Sequence, residues 1–115
     1  EYAILTDEMT KAWSGMSVKE YKKLKGLKKE NLRDNMTDIE LVLNMLAEVT
    51  TTALSKSKQP ETFGENVKVA REGGSVAKST RKDIEARLKT SVVSPLNASD
   101  KPALEVKKSD GENDD

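Results

Sequence analysis

Seven cations between Lys19 and Arg33 are the residues of this chain best suited to chemistry, and only Glu20 and Glu30 offset them there. Lysines at this density can neutralise several phosphates, which gives salt-dependent and sequence-independent binding to nucleic acid. The same pattern is also typical of a solvated helix face. The candidate binding residues are Lys19, Lys22, Lys23, Lys25, Lys28, Lys29 and Arg33.

The number of aromatic residues among the lysines indicates which kind of nucleic-acid contact to expect. Tyr21 is the only aromatic residue among them, whereas proteins that hold single strands by stacking use several aromatic side chains. Contact with the phosphate backbone is therefore favoured over base reading. The whole chain carries 20 basic and 20 acidic residues, so any attraction to nucleic acid must be local.

The sequence lacks several of the side chains that enzymes commonly use for catalysis. Cys and His are both absent, which excludes disulfides, thiolate nucleophiles, imidazole acid–base catalysis and the usual zinc sites. Asp34, Asp38 and Glu40 resemble the carboxylates of a two-metal nuclease, but Asp38 and Glu40 fit the first turn of a helix far better. We expect no enzyme, no metal, no cofactor and no small-molecule substrate.

Composition indicates a small, polar domain. Only 35% of the 115 residues are apolar and 3% aromatic, so core material is scarce and we expect Trp13 and Phe63 to anchor it. No apolar run approaches the roughly 20 residues of a membrane helix, and no signal peptide is present, which predicts a cytoplasmic protein. A start at Glu1, already in a helical pattern, suggests a fragment of a longer protein.

The first half of the chain predicts three helical segments. Apolar residues from Tyr2 to Trp13 recur at helical spacing, and Gly15 is the expected end of that helix. Ser17 and Glu20 form a capping box before a short helix that we expect to end at Gly26. The residues from 27 to 36 predict another turn or two, with Leu27 and Leu32 buried.

A second capping box, Thr37 to Glu40, opens the most clearly predicted helix. Its apolar face is expected to comprise Leu41, Val42, Met45, Leu46, Val49 and Ala53. The residues from Lys56 to Pro60 are expected to form a connector.

Beyond this connector, Thr62 and Glu65 form a possible third capping box, followed by a heptad-like seam that only Arg81 interrupts. Gly73 and Gly74 either break this helix or let a neighbouring helix approach closely, and we expect a continuous or slightly kinked helix. The seam serves either packing within the monomer or pairing with a second copy or a partner helix. Its members are Phe63, Val67, Ala70, Gly74, Ala77, Ile84 and Leu88.

These patterns together predict an all-α fold, a small bundle of about four to five helices with one long helix near 62–90. We expect a helical domain over residues 1–93. Residues 94–115 are expected to form a flexible, disordered acidic tail, with six acidic against three basic residues after Val93.

The stretch from Lys25 to Glu48, KGLKKENLRDNMTDIELVLNMLAE, resembles the DNA-damage-inducible protein D family and related phage-type antirepressor proteins. The similarity extends from about Tyr2 to Val93 and leaves the tail uncovered. In that group a BRO-type domain precedes this helical region, so the resemblance implies an isolated C-terminal part. It also implies Lys25, Lys28 and Lys29 as the positive motif, with a scaffold of Leu27, Leu32 and Leu41.

The resemblance implies a bacterial, non-enzymatic protein of the DNA-damage (SOS) response. A member of that family is regarded as a modulator of RecA recombinase filaments on single-stranded DNA, and related BRO-type proteins are thought to bind DNA or act as antirepressors. Our leading hypothesis is a helical regulatory domain that contacts DNA or a RecA-type filament through the lysines. The alternative is a homodimerisation module, built on the seam, that pairs N-terminal DNA-binding domains.

Overall fold

The computed structural model of the protein describes residues 2–97, and every regular element in that range is helical. The elements are α1 (Tyr2–Ser14), α2 (Val18–Leu24), a 3-10 turn (Arg33–Asn35), α3 (Asp38–Lys58) and α4 (Phe63–Leu88). The predicted all-α fold with one long helix near 62–90 is therefore confirmed. The predicted acidic tail lies outside the described residues, except for residues 94–97.

The helix boundaries follow local signals in the sequence. The three predicted capping boxes, which begin at Ser17, Thr37 and Thr62, are all present. Gly15 and Gly26 adopt left-handed backbone angles, with φ of 84° and 74°, and end α1 and α2 as predicted. Only the connector between α3 and α4 is shorter than expected, because α3 continues to Lys58.

Helix α4 packs against both α1 and α3, and the adjacent glycines Gly73 and Gly74 make this possible. A Cβ atom on Gly73 would lie 1.9 Å from Thr51 Oγ1 and 2.8 Å from the Thr51 backbone nitrogen, both on α3. A Cβ atom on Gly74 would lie 2.6 Å from both Ala12 Cβ and the Met9 carbonyl oxygen, on α1. Helix α4 therefore runs unbroken through both glycines, and they allow two neighbours to approach closely.

The predicted apolar face of α3 is partly wrong. The side that α3 buries holds Glu40, Leu43, Asn44 and Ala47. Of the predicted face, Leu41 and Leu46 pack against the core, whereas the other members are exposed: Val42, Met45, Val49 and Ala53. Small residues such as Ala47 and Thr51 allow close approach to α4, and the buried polar residues find partners, so apolarity alone does not identify the buried side.

The core is small and centred on α1. Trp13 is fully buried, as predicted, and its ring lies 6.0 Å from that of Tyr21, centroid to centroid. Phe63 does not anchor the core, since it is 37% exposed at the first position of α4, beside the α3–α4 connector. The buried apolar residues are Met9, Trp13, Tyr21, Leu32, Met36, Leu43, Ala47, Val69, Ala70, Ala77 and Val92.

Candidate nucleic-acid interface

Helix α2 turns one side toward the core and presents lysines elsewhere. Tyr21 is completely buried, and Lys19, Lys22 and Lys23 follow at i, i+3 and i+4 on other positions of the helix surface. Lys19 and Lys23 are exposed, and Lys22 is half-buried. Lys22 and Lys23 belong to the last turn of α2, where the helix dipole favours positive charge.

A tight turn at Gly26 brings two more lysines beside this helix end. The Leu27 N–H donates to the Lys22 carbonyl at 2.9 Å, and the Gly26 N–H donates to the Lys23 carbonyl at 3.1 Å. This pair of bonds is a Schellman motif, which the left-handed Gly26 permits. Leu27 then packs against the core, while Lys28 and Lys29 remain exposed.

Lys25 is predicted as a binding residue, and that prediction is wrong. Its side chain is fully buried and its Nζ lies 2.7 Å from Glu40 Oε1. The same Nζ donates to the Ser94 carbonyl at 2.7 Å and to the Leu96 carbonyl. Because an ammonium group has three donors, Lys25 is saturated by its own chain and cannot hold a phosphate.

Glu40 is the centre of the buried polar network, which comprises Tyr21, Lys25, Glu40 and the backbone of residues 94–96. Besides Lys25, its carboxylate accepts the Thr37 N–H at 2.8 Å, the Ser94 N–H at 3.0 Å and the Tyr21 hydroxyl. Burial, reinforced by the bond to this carboxylate, raises the pKa of Tyr21, so its hydroxyl stays a donor. Residues 94–97, predicted as tail, are thus attached to the bundle.

Only part of this network could be predicted from the sequence. Glu40 was recognisable as the third residue of a helix that begins with a capping box, so its bond to Thr37 was predicted. Its other partner, Lys25, lies 15 residues earlier, and no periodicity links the two. A lysine directly before the helix-ending Gly26 is expected to lie on the surface. Only the structure shows that the Lys25 side chain points into the protein.

Arg33, the last predicted binding residue, forms an ion pair at the surface. Its Nη1 lies 2.8 Å from both oxygens of Glu48. Glu48 also accepts from Asn44, whose Oδ1 accepts from Trp13 Nε1 at 3.2 Å. Arg33 is therefore the outer end of a hydrogen-bond chain that reaches the core, and the negative charge of Glu48 offsets its positive charge.

Five cations of the original seven remain for an outside ligand, and we call them the lysine surface. None of the five takes part in an ion pair within residues 2–97. Glu30 lies among them, and its Oε1 accepts the Lys28 N–H at 2.7 Å. Backbone N–H groups around Lys28 lower the pKa of Glu30, so it stays ionised and reduces the local positive charge. The lysine surface comprises Lys19, Lys22, Lys23, Lys28 and Lys29.

The seam on α4 does not form an exposed surface. Its central members Ala70, Gly74 and Ala77 are buried against α1 and α3 within the monomer. Val67 and Ile84 are half-buried, and only the terminal Phe63 and Leu88 are exposed. As an oligomer seam the prediction is wrong, because one chain already uses the close approach that these small residues allow.

Arg81, the charged residue that interrupts the seam, has a structural role of its own. Its Nε donates to the Trp13 carbonyl at 2.7 Å, and its Nη1 lies 3.0 Å from both oxygens of Glu85. Glu85 in turn accepts the Val92 N–H at 3.0 Å. Arg81 thus ties the end of α1 and the segment after α4 together.

The described residues contain neither a cluster suited to a metal ion nor a helix suited to crossing a membrane. Over residues 2–97, His, Cys, Asp and Glu form no group of three or more suited to a metal ion. Asp34 is exposed within the 3-10 turn, and Glu40 belongs to the buried polar network. In the same part of the chain, no helix combines the length and apolarity needed to cross a membrane.

Comparison with known proteins adds no relative: the chain matches no protein-family model, no curated protein and no solved structure. The resemblance of residues 25–48 to the DNA-damage-inducible protein D family therefore stays a prediction.

Proposed function

We propose that this domain is a non-enzymatic module of a DNA-damage-response protein that holds the phosphate backbone of single-stranded DNA, bare or within a RecA-type filament. The observation that carries the proposal is the lysine surface itself, five lysines within residues 19–29 that have no ion-pair partner in the described chain. The resemblance of residues 25–48 supports the assignment to the DNA-damage response.

The lysine surface is presented by a fixed backbone. Tyr21, Lys25 and Leu27 hold α2 and the Gly26 turn on the bundle, so Lys22, Lys23, Lys28 and Lys29 surround one helix end. A ligand then has to order only the lysine side chains, which keeps the entropic cost of binding low. An ordered backbone distinguishes the lysine surface from seven cations on a disordered segment, whose backbone would also have to be ordered on binding.

The expected binding is electrostatic and carries little sequence preference. Each phosphate neutralised on a single strand contributes about −0.7 to the slope of log K against log salt concentration. Five lysines therefore set a limit of about −3.5 for that slope. Tyr21 is buried in the core, so base stacking by this residue contributes nothing.

The proposal is tested by fluorescence anisotropy of a labelled oligothymidylate at several salt concentrations. The double variant Lys28→Ala/Lys29→Ala is expected to weaken binding and to reduce the slope by about 1.4. Lys68→Ala/Lys78→Ala is the matched control, since both lysines are exposed on α4, and it is expected to bind like the wild type. Equal losses in both variants would overturn the assignment of the site.

One further variant and one further ligand make the experiment more specific. Glu30→Gln keeps the hydrogen bond to Lys28 but removes a negative charge, so it is expected to tighten binding. A strand coated with RecA-type recombinase distinguishes the two partners, because binding to coated but not to bare DNA would identify the filament as the ligand. Absence of binding to both would contradict the proposal.

A further inference from the structure

Negative charge is concentrated in residues 109–115 of the sequence, SDGENDD, which we call the acidic end. They contain four acidic residues and no basic residue. The eleven residues before them, 98–108, carry two acidic and three basic residues and are therefore nearly neutral. A run of like charges at this density is typical of an interaction segment.

The segment that leads to the acidic end is held on the bundle by the buried polar network. Val92 is buried in the core. The Ser94 N–H donates to Glu40 at 3.0 Å, and the carbonyls of Ser94 and Leu96 accept from Lys25 Nζ. Residues 94–96 are therefore held one lysine side chain away from the backbone of residue 25.

This anchor places the acidic end within reach of the whole lysine surface. In sequence, Lys25 lies between the lysines of α2 and those that follow the Gly26 turn. Twelve residues separate Asn97 from Asp110, and a chain of that length spans up to about 40 Å. Helix α2 has seven residues and is about 10 Å long, so the length of the chain allows the contact.

The lysine surface is the part of the bundle that best complements the acidic end. Residues 19–29 contain six basic residues and one acidic residue, and the five lysines of the surface form no ion pair within residues 2–97. Helix α4 carries six basic residues over its 26 residues, but four acidic ones offset them. Attachment to the same chain gives the acidic end a local concentration of millimolar order, so weak exposed ion pairs are sufficient.

We infer that the acidic end binds the lysine surface of its own chain and competes there with DNA. The competition rests on the proposed function, whereas the contact between the two segments does not require DNA. Both the contact and DNA binding are electrostatic and weaken as salt is added. Single-stranded DNA carries one phosphate per nucleotide and displaces the acidic end, while ligands with few charges are excluded.

Paramagnetic relaxation enhancement in the full chain, without DNA, tests the contact itself. The chain has no native cysteine, so Ser109→Cys carries a nitroxide label beside the acidic end. At low salt we expect strong broadening of the amide signals of residues 19–30, and high salt should remove it. The matched control carries the same label in the neutral variant, Asp110→Asn/Glu112→Gln/Asp114→Asn/Asp115→Asn, in which the broadening should be much weaker. Equal broadening in the two proteins would overturn the inference.

Fluorescence anisotropy with the labelled oligothymidylate tests the competition. The neutral variant is expected to bind about fivefold more tightly than the wild type at low salt, since four exposed ion pairs each contribute little. Neutralising the acidic end should tighten binding less in Lys28→Ala/Lys29→Ala than in Lys68→Ala/Lys78→Ala, because only the first pair belongs to the lysine surface. Equal gains in both backgrounds would reveal a general effect of net charge and overturn the inference.

The two measurements distinguish failure of this inference from failure of the proposed function. Broadening at residues 19–30 in a chain that binds no DNA, with or without the acidic residues, would support the contact and reject the proposed function. DNA binding of equal strength in the wild type and the neutral variant would reject the inference and leave the proposed function standing.

Discussion

The inner and outer sides of α3 differ less in apolarity than is expected of an amphipathic helix, since both sides carry apolar residues and the inner side also carries polar ones. The inner side holds Glu40 and Asn44, which are buried and hydrogen-bonded, whereas Val42 and Val49 on the outer side are more than half exposed. Burial in this protein thus follows two other rules. Polar residues such as Glu40 and Asn44 are buried where their side chains find hydrogen-bond partners. Small residues are buried where two helices must approach closely, which leaves the Thr51 hydroxyl without a partner among the described residues.

The same contrast divides the basic run. Lys25 and Lys28 are three residues apart, yet Lys25 is saturated by internal partners while Lys28 is exposed. One lysine therefore holds the segment in place and the other is free for a ligand. Charge density by itself does not distinguish these two roles.

Removing the internal lysine is expected to have the largest effect. Lys25→Ala leaves Glu40 as a buried charge without its ion-pair partner, and such losses cost about 3–5 kcal/mol in the free energy of unfolding. Urea denaturation followed by circular dichroism measures this cost. Lys28→Ala, the exposed counterpart, is expected to change stability by less than about 0.5 kcal/mol.

A second comparison sharpens the result for Lys25. Lys25→Met/Glu40→Gln removes both charges, so it is expected to be more stable than Lys25→Ala, although one amide oxygen cannot accept from both Thr37 and Tyr21. A loss below about 1 kcal/mol for Lys25→Ala would mean that the buried polar network contributes little.

The glycines of α4 are expected to give the next largest effect. Gly73→Ala places a Cβ atom 1.9 Å from Thr51 Oγ1 and within 2.9 Å of the Thr51 backbone. The helices must separate, which costs about 1–3 kcal/mol and outweighs the better helix propensity of alanine. Gly64→Ala is the control, because its Cβ atom would meet nothing closer than 3.9 Å. Thermal unfolding should show a lower melting temperature for Gly73→Ala alone.

Acid is expected to have a smaller, graded effect through the helix caps. The Ser17 N–H lowers the pKa of Glu20 from the usual 4.5, and the N–H groups of Glu61 and Thr62 lower the pKa of Glu65. Since these pKa values are lower in the folded state, the stabilisation is complete above about pH 4.5 and is lost as the pH falls through the folded values. Urea titrations between pH 7 and pH 3 should show this loss, and Glu65→Gln should make it shallower. Equal pH dependence in both proteins would contradict the role of the cap.

Local signals accounted for much of the fold in advance. Capping boxes at Ser17, Thr37 and Thr62 and terminal glycines at positions 15 and 26 predicted where the helices begin and end, because those residues act within one turn. The orientation of α3 was not predictable in the same way. Two neighbouring faces both recur at helical spacing, and the partners that bury one of them, Lys25 and Trp13, lie far away in sequence.

The candidate site shows the same division between local and long-range information. The density of lysines identified the segment from residue 19 to residue 33, and five of its seven cations remain as the lysine surface. The sequence could not remove Lys25 and Arg33 from the set, because their partners Glu40 and Glu48 are 15 residues away in each case.

The most direct test of the lysine surface as a binding site is a ¹H–¹⁵N NMR titration of the protein with a short single-stranded DNA. We expect chemical-shift changes concentrated at residues 19–30, which diminish as salt is added, with little change along the outer side of α3. Changes centred on α4 or on Val42 and Val49, or changes that resist salt, would contradict this assignment.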